Sequence, residues 1–427
     1  MAVTIGLMTL IVLLVVGLPV ALALAVSGAV GLYMVGGAGI LIGIIGTTPL
    51  SSIQSYELAT VPMFILMANF IIASGVSDDM FNAAKTWMGR TPGGLAHATA
   101  ITGALFGAIS GSSTAAAATL SSTSIPGMLK QGYSPKLATG VAAISGTLAM
   151  LIPPSVAMIL YALLADLSVG KMLIAGVIPG LLVTATIMIT VLILVWLNPE
   201  HAPRAERYSL KEKILSLRNA WTFIALFMMV TVTIYTGIAT PTEASAFGAF
   251  GAFLLALRKR PPAKVYWDAL VNTAMTSCMI AFIIVGALIF GYFLTMTQTT
   301  QSLITSLSTS GIPNWGILLM VLLLYLVLGC FMDMVAMLIL TIPVVYPLMT
   351  SLGYDPIWLA VVTIVMGEIG MVTPPLGLNV FVISKYTNMP VAEVFKGSFP
   401  HVIAHLVAVA LLVIFPELVT WLPNTMK

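Results

Sequence analysis

Two stretches of the chain decide its fold: Gly146-Thr-Leu-Ala-Met-Leu-Ile-Pro-Pro-Ser155 and Gly367-Glu-Ile-Gly-Met-Val-Thr-Pro-Pro-Leu376. A shift of 221 residues superposes them, with both Pro-Pro pairs in register. Each pair lies in apolar surroundings, where proline is costly because it lacks an N–H and clashes with the carbonyl four residues back. A chance similarity between two apolar segments is the alternative explanation. The matching offsets of two Pro-Pro pairs favour an internal repeat.

The composition places these stretches in a membrane. Only 31 of the 427 residues are charged (17 Lys or Arg, 14 Asp or Glu), which is 7%, and 59% are hydrophobic. A soluble domain has roughly 25% charged residues, so the composition argues against soluble enzymes, nucleic-acid binders and disordered proteins. The net charge of +3 predicts no nucleic-acid partner. Cys278 and Cys330 lie in apolar runs and support neither a disulfide nor a thiolate metal site.

About 20 apolar residues are needed for a helix to cross the bilayer. Ten runs of this kind predict about ten transmembrane helices: 3–25, 28–46, 56–77, 139–165, 172–197, 219–238, 243–257, 270–296, 356–384 and 399–422. Two further apolar stretches, 95–128 and 315–350, have polar or glycine-containing centres. Such centres are typical of re-entrant hairpins, which enter and leave on one side of the membrane.

The distribution of Lys and Arg predicts the orientation. With ten crossings, two hairpins and a periplasmic N-terminus, 15 of the 17 Lys and Arg residues lie on the cytoplasmic side, including Arg204 and Arg207. Only Lys171 and Lys427 then lie outside. This agrees with the excess of positive charge in cytoplasmic loops. We therefore predict a multi-pass membrane protein whose N-terminus lies outside.

The repeat divides the chain into two halves. Residues 1–198 form the first, 199–218 a cytoplasmic connector, and 219–427 the second. Each half is predicted to hold five crossings, one of them a broken helix (139–165 or 356–384), and one hairpin. Since five is odd, the halves must lie upside down relative to each other. Inverted repeats with broken helices are typical of secondary transporters.

The prolines predict an oxygen-rich site in each half. Pro153 and Pro154 free the carbonyls of Ala149 and Met150, and the second pair frees those of Gly370 and Met371. Free carbonyls cannot face lipid and need other donors, water or a cation. Cages of carbonyl and hydroxyl oxygens suit a small hard cation such as Na⁺. The alternative is a simple proline kink in which neighbouring hydroxyls bond the carbonyls.

The hairpin tips are expected to complete these sites. The first tip, Ser110-Gly111-Ser112-Ser113, can supply hydroxyls and carbonyls to the loop at 149–154. By symmetry the second tip, 329–333, faces 370–375, where Thr373 adds a hydroxyl. Ser155 and Asn379 follow the two breaks and are predicted to face a substrate cavity.

Acidic side chains at membrane depth are functional candidates because they are costly there. Asp333 is the strongest candidate for a coupling or substrate residue, since the sequence offers it no structural role. Glu368 precedes the second break and is a weaker candidate. Glu57 is predicted to lie at an interface. Glu243 completes the capping box Thr240-Pro-Thr-Glu243.

The histidines are predicted to have local roles, and motifs of common enzymes are absent from the sequence. His97 and His401 are predicted near interfaces, with capping or snorkelling roles. No Walker A motif, zinc pattern or nucleophile elbow is present, so we expect neither ATP hydrolysis by this chain nor an enzyme.

Several segments together resemble the large membrane subunit of TRAP (tripartite ATP-independent periplasmic, DctM-type) transporters. They are 107–113, 151–155, 240–244, 329–333 and 373–379. The resemblance covers nearly the whole chain. It departs at Ala149-Met150, where many relatives have a second small residue, a change that a backbone-carbonyl role survives.

The resemblance implies a sodium-driven elevator transporter of the ion-transporter superfamily, in which a mobile part with both hairpins and both broken helices slides against a scaffold. It implies at least two Na⁺ sites, the first on Ser110, Ser112, Ala149, Ile152 and Pro154, the second on Gly329, Gly370, Thr373 and Pro375. Asp333 matches the family's hairpin aspartate.

The resemblance also implies partners. These are a small four-helix membrane subunit, expected as a separate chain, and a periplasmic binding protein that delivers an organic acid such as sialic acid or a C4-dicarboxylate. The alternatives are a self-sufficient sodium/carboxylate symporter of the same superfamily, a channel, and an intramembrane enzyme. A channel does not need two inverted, carbonyl-freeing loops.

Overall fold

A computed structural model describes residues 1–203 and 208–426, and the described part is helical without strands. Three of the basic residues that predict the orientation lie outside the described residues: Arg204, Arg207 and Lys427. The predicted fold class, an all-α polytopic membrane protein, is confirmed.

The helices of the first half are separated by short turns. In chain order they are α1 (Ala2–Val15), α2 (Val20–Ile53), α3 (Thr60–Ala73), α4 (Val76–Met88), α5 (Gly94–Ser110), α6 (Ser113–Thr123), α7 (Ile125–Lys130), α8 (Pro135–Thr147), α9 (Val156–Leu164), α10 (Val169–Ala175) and α11 (Val177–Leu197). Short 3₁₀ turns flank α3, α8 and α11. The predicted hairpin is α5–α6, and the predicted broken helix is α8–α9.

The second half repeats this order. Its helices are α12 (Leu210–Tyr235), α13 (Pro241–Lys259), α14 (Ala263–Met296), α15 (Thr299–Thr309), α16 (Asn314–Phe331), α17 (Met334–Ser351), α18 (Pro356–Gly370), α19 (Leu378–Thr387), α20 (Val391–Ile414) and α21 (Glu417–Asn424). The hairpin is α16–α17 and the broken helix is α18–α19. Both breaks contain a cis peptide bond within the Pro-Pro pair.

The contacts between helices of the two halves occur in pairs that the repeat relates. α6 packs against α19 while its counterpart α17 packs against α9, and α3 packs against α13 while α14 packs against α2. The 221-residue shift converts one member of each pair of contacts into the other. This is the packing that a pseudo-twofold axis produces. The boundaries 1–198, 199–218 and 219–427 remain predictions.

The first predicted span, 3–25, is wrong in its bounds. α1 ends at Val15 and α2 begins at Val20, because Gly17 adopts φ +86° and Pro19 precedes the new helix. α2 then runs through the predicted gap before 28–46 to Ile53, with a kink at Gly37 (φ +67°). The break was missed because hydropathy does not fall there.

The last predicted span, 399–422, is also displaced. α20 begins at Val391 and ends at Ile414, and Pro416 starts the separate helix α21. The third span, 56–77, begins as a 3₁₀ turn and its helix ends at Ala73. The amphipathic helices α4 and α15 were not predicted, since neither has a long apolar run.

Length and composition identify seven described helical segments that could cross a membrane, or eight if the bent helix α12 is one span. Both arms of the second hairpin pass this test, so the test does not separate a crossing from a hairpin arm. The number of ten crossings remains a prediction.

Candidate functional site

The first hairpin turns at a glycine between two serines. α5 ends at Ser110, Gly111 adopts φ +55°, and Ser112 caps α6 by accepting the amide of Ala115 at 3.4 Å. The Ser112 hydroxyl also lies 3.2 Å from that of Thr114. The Ser110 hydroxyl donates to the Ser112 carbonyl at 3.3 Å. The tip therefore presents several oxygens within a single turn.

This tip lies directly on the first helix break. A Cβ on Gly107 would lie 2.7 Å from Cα of Ala149, and one on Gly111 would lie 2.8 Å from Cγ2 of Val156. Only a residue without a side chain allows α5 to approach the broken helix this closely. The first hairpin therefore packs onto the break on both sides of the loop, at Ala149 through Gly107 and at Val156 through the tip residue Gly111.

Of the two carbonyls predicted to be free at this break, only that of Ala149 lacks a hydrogen bond from its own helix. The amide of Ile152 donates to Leu148 at 3.0 Å, and residue 153 is proline, so the Ala149 carbonyl has no donor in its own turn. The Met150 carbonyl accepts the hydroxyl of Ser155. The prediction for Met150 is therefore wrong, because the hydroxyl after the Pro-Pro pair replaces the missing amides.

The second tip is built around Asp333. Its carboxylate accepts the amides of Val335 at 3.1 Å and Ala336 at 3.5 Å, and so caps α17. The sequence interpretation that Asp333 lacks a structural role is wrong. Asp333 is exposed at the hairpin turn, where its charge remains accessible to a substrate or an ion.

The second tip contacts the second break in the same way as the first. A Cβ on Gly329 would lie 3.1 Å from Cα of Gly370, which is the contact of Gly107 with Ala149 shifted by 221 or 222 residues. The amide of Gly377 donates to the Cys330 carbonyl at 3.2 Å. Both hairpin–break contacts thus rest on closely packed glycines.

Both carbonyls predicted to be free at the second break are bonded. Gly370 accepts the amide of Thr373 at 3.0 Å, and Met371 accepts the amide of Asn379 at 3.1 Å. The prediction fails at Met371 because the chain folds back after Gly377 (φ +59°), which brings the amide of Asn379, eight residues later, to the Met371 carbonyl. The Thr373 hydroxyl donates to Ile369 at 2.6 Å, which leaves its own lone pairs available.

The comparisons with known proteins assign the chain to a family. Residues 7–418 match the model of the tripartite ATP-independent periplasmic transporter, DctM component. The chain belongs to this family. It is 35% identical to the C4-dicarboxylate TRAP transporter large permease protein DctM of Pseudomonas aeruginosa, over 87% of each chain. It is 29% identical to the sialic acid TRAP transporter large permease protein SiaM of Vibrio cholerae, over 96% of each.

A solved structure shares the fold of this DctM-family permease. The YdaH transporter of Alcanivorax borkumensis superposes with a TM-score of 0.68 at 15% identity, covering 93% of this chain and 97% of that one. At this identity the likeness concerns the fold alone. The curated relatives are transporter permeases rather than enzymes, as predicted.

The permease buries two polar side chains beside its second break. Glu368 is 2% exposed, lies beside Ser113 of the first hairpin, and has no hydrogen bond to either carboxyl oxygen within the described part of the chain. Asn379 is fully buried, and its side-chain amide has no described partner either. Unpaired buried groups of this kind are expensive, which marks them as functional candidates.

Ser155 and Asn379, predicted to face a substrate cavity, lie directly after the two breaks. Both are fully buried. Ser155 caps α9 by accepting the amide of Met158 at 3.3 Å while it bonds Met150. The sequence placed both residues correctly next to the breaks but could not show which way their side chains point.

The first break offers oxygens that suit a small hard cation; at the second break the Thr373 hydroxyl keeps its lone pairs, whereas the Gly370 carbonyl already accepts an amide. The available oxygens belong to neutral hydroxyls and carbonyls. Among them, the Ala149 carbonyl accepts no hydrogen bond from an amide of its own helical turn. No group of three or more His, Cys, Asp or Glu side chains occurs among the described residues, so softer transition-metal coordination finds no support there. The carbonyls of Ile152, Pro154, Gly329 and Pro375 lie in the same tips and breaks, and each belongs to a helix end or a proline loop where amide donors are scarce.

Of the two histidines considered in the sequence, His401 differs from its prediction and His97 does not. His401 is fully buried in α20, and neither it nor His405 has a hydrogen bond to a described residue. The interfacial role predicted for His401 is therefore wrong; hydropathy does not show which face of a helix packs inward. His97 is buried too, but its Nε2 lies 3.1 Å from the Pro92 carbonyl at the start of α5, in agreement with local capping.

Of the other two acidic residues, Glu243 has the capping role that the sequence predicts. Thr240 and Glu243 form a complete capping box at the start of α13. Glu57 is exposed in the turn before α3. Sequence reasoning missed the contact between the halves at Ser113, whose hydroxyl lies 3.5 Å from Sδ of Met371; no local pattern could have indicated it.

Proposed function

We propose that this permease takes up an organic acid by symport with Na⁺ across a bacterial inner membrane, with its N-terminus in the periplasm. Two Na⁺ sites are proposed on the predicted sets of oxygens. The observation that carries the proposal is the paired geometry: each hairpin tip is packed by glycines onto a proline-broken helix, and the repeat relates the two contacts. Broken helices facing each other across inverted repeats are where secondary transporters bind ions and substrates.

The proposed substrate is a carboxylate, either a C4-dicarboxylate or sialic acid, because the names of the relatives specify these compounds. We propose that a periplasmic binding protein delivers it and that a separate small four-helix membrane subunit completes the transporter. Asp333, Glu368, Asn379 and Ser155 are the proposed coupling and substrate residues.

An elevator motion is supported by the packing between the halves. Because α6 packs on α19 and α17 on α9, each hairpin is held by its own break and by the other half. The hairpins and broken helices therefore form one interlocked body, which is proposed to slide as a unit. Glu368 beside Ser113 lies at the contact between halves, where it couples the second break to the first tip.

Transport in proteoliposomes tests this proposal. The chain and the candidate small subunit are reconstituted, and labelled substrate is offered with and without an inward Na⁺ gradient and with and without the binding protein. Uptake that requires both supports the proposal, and uptake indifferent to Na⁺ contradicts it. Uptake that needs Na⁺ but no binding protein would instead identify a self-sufficient symporter.

A further inference from the structure

A polar cavity of about 260 Å³ lies outside the transport site, between α3–α4, α12 and α13. Its lining is Ser74, Val76, Asp79, Arg218, Thr222, Leu255, Arg258 and Lys259. These residues come from the ends of neighbouring helices. None of them belongs to a hairpin or to a broken helix, so the cavity has no part in the proposed Na⁺ sites.

The cavity carries uncompensated positive charge. Lys259 pairs with Asp79 at 3.2 Å, which neutralises one of the three basic residues. Arg218 and Arg258 have no hydrogen bond or ion pair with a described residue. A helix C-terminus attracts basic residues, which accounts for Arg258 and Lys259 at the end of α13 but not for Arg218 on α12. Two arginines from different helices thus line one cavity, and neither has an acidic partner in the described part of the chain.

Exposed tryptophans on the neighbouring helices indicate that this cavity lies at the depth of lipid headgroups. Trp221 is 56% exposed next to the lining residue Thr222, and Trp267 is 65% exposed near the start of α14. Trp87 on the amphipathic helix α4 donates its indole N–H to the Lys213 carbonyl at 3.1 Å. Amphipathic tryptophans of this kind concentrate at membrane–water interfaces.

The surface next to the cavity is suited to acyl chains. On α13, Phe247, Phe250, Leu254 and Leu257 are exposed large apolar side chains, and Ile224 and Met228 are exposed on α12. An apolar surface that leads to a basic cavity at headgroup depth fits a molecule with a hydrocarbon chain and an anionic head.

We propose that this cavity binds the phosphate of an anionic phospholipid, with Arg218 and Arg258 as its ligands and the acyl chains along α12 and α13. Arginine pairs with phosphate through two parallel N–H···O bonds, and basic pockets between transmembrane helices hold anionic headgroups. Thr222 adds a hydroxyl to the lining.

Lipid retention on the full chain tests the proposal. The purified permease is exchanged from nanodiscs of mixed phosphatidylglycerol and phosphatidylcholine into detergent, and bound lipid is counted by native mass spectrometry. We expect selective retention of phosphatidylglycerol. Arg218→Gln and Arg258→Gln should each lower retention about tenfold, because each removes a charged hydrogen-bonding partner.

Lys264→Gln is the matched control, since it removes a positive charge close in sequence that does not line the cavity, and it should retain lipid like the unaltered chain. Equal retention of the two lipids, or equal losses in all three variants, would contradict the proposal. Displacement by millimolar inorganic phosphate, with no preference for the lipid, would assign the cavity to a free anion and overturn it. Loss of lipid on adding the small subunit would assign this face to a protein partner and also overturn it.

Discussion

At the scale of single residues, the hydroxyl of Ser112 carries the clearest functional prediction. Ser112→Ala removes an oxygen from the first tip, and we expect the Na⁺ concentration for half-maximal uptake to rise about tenfold, the effect of losing one polar contact. Uptake measured over a series of Na⁺ concentrations checks this.

Two variants control for the other role of Ser112 as the cap of α6. Ser112→Thr keeps both the hydroxyl and the cap and should behave like the unaltered chain. Ser122→Ala removes an exposed hydroxyl from the same helix, where it bonds only Thr119. If Ser122→Ala shifts the Na⁺ dependence as strongly as Ser112→Ala, the first site is wrongly placed.

Glu243 provides a residue-scale test of stability. Its carboxylate accepts the amide of Thr240 at 2.8 Å and the hydroxyl at 2.9 Å. Glu243→Ala should destabilise the permease by about 1 kcal/mol, as expected for losing half of a capping box. Thermal unfolding in detergent measures the change, and Glu57→Ala, an exposed acidic residue without a capping bond, should leave the midpoint unchanged.

Predictability at this scale depends on how local the cause is. The capping box at Glu243 and the free carbonyl at Ala149 follow from a few neighbouring residues, so the sequence predicts them. The Met371 carbonyl is bonded by an amide eight residues away after a left-handed glycine, and Asp333 caps a helix whose start was not predicted. Such effects require the path of the chain in three dimensions.

At the scale of elements, the contact between α8 and α20 depends on Gly140. A Cβ there would collide with the backbone of Gly397, which cannot move without displacing the helix. Gly140→Ala should destabilise the permease by about 1–3 kcal/mol through overpacking. Gly127→Ala, at a helical position with open space around it, should be neutral or slightly stabilising. Paired thermal unfolding measurements compare them, and equal midpoints would contradict the packing.

Helices were predictable where polarity or proline interrupts an apolar run. Both hairpins and both broken helices have such interruptions, and their positions agree with the structure. The break between α1 and α2 contains only a single glycine and a single proline, Gly17 and Pro19, within a run that stays apolar. The start of α20 lies in a polar segment, which a hydropathy criterion excludes from a span. Helix ends set by backbone geometry are therefore missed when composition does not change with them.

At the scale of the whole molecule, the account predicts that the hairpins and broken helices move together against the scaffold. Ala108 on α5 and Phe227 on α12 line the same small cavity between the two parts. Joining Ala108→Cys and Phe227→Cys with a bifunctional thiol reagent, in a chain whose own cysteines are replaced, should arrest uptake. Uptake before and after reduction of the link measures this.

The control link joins α8 of the proposed moving body to α20, the helix that packs along α8 and is expected to move with it. Lys136 on α8 and Glu393 on α20 form an exposed ion pair at 3.4 Å, and cysteines at these positions joined by the same reagent should leave uptake nearly unchanged. Full uptake with the Ala108–Phe227 link closed would contradict a sliding motion between these two parts.

The two-fold organisation could be predicted because the Pro-Pro pairs mark equivalent positions in both halves. The contacts between the halves could not be predicted. The packing of α6 on α19 and of α17 on α9 joins helices from different halves, and no sequence pattern within one half indicates it. Ser113, Glu368 and Met371 meet only because the halves interlock.

Binding of Na⁺ to the purified permease is the most direct test of the two proposed Na⁺ sites. Equilibrium binding of radioactive sodium is measured on the unaltered chain, on Ser112→Ala and on Thr373→Ala. At least two ions per chain are expected, with each substitution weakening the binding of a different ion about tenfold and a chain that carries both substitutions binding both ions more weakly. Binding of a single ion, or binding that neither substitution weakens, would contradict the paired sites at the two hairpin tips.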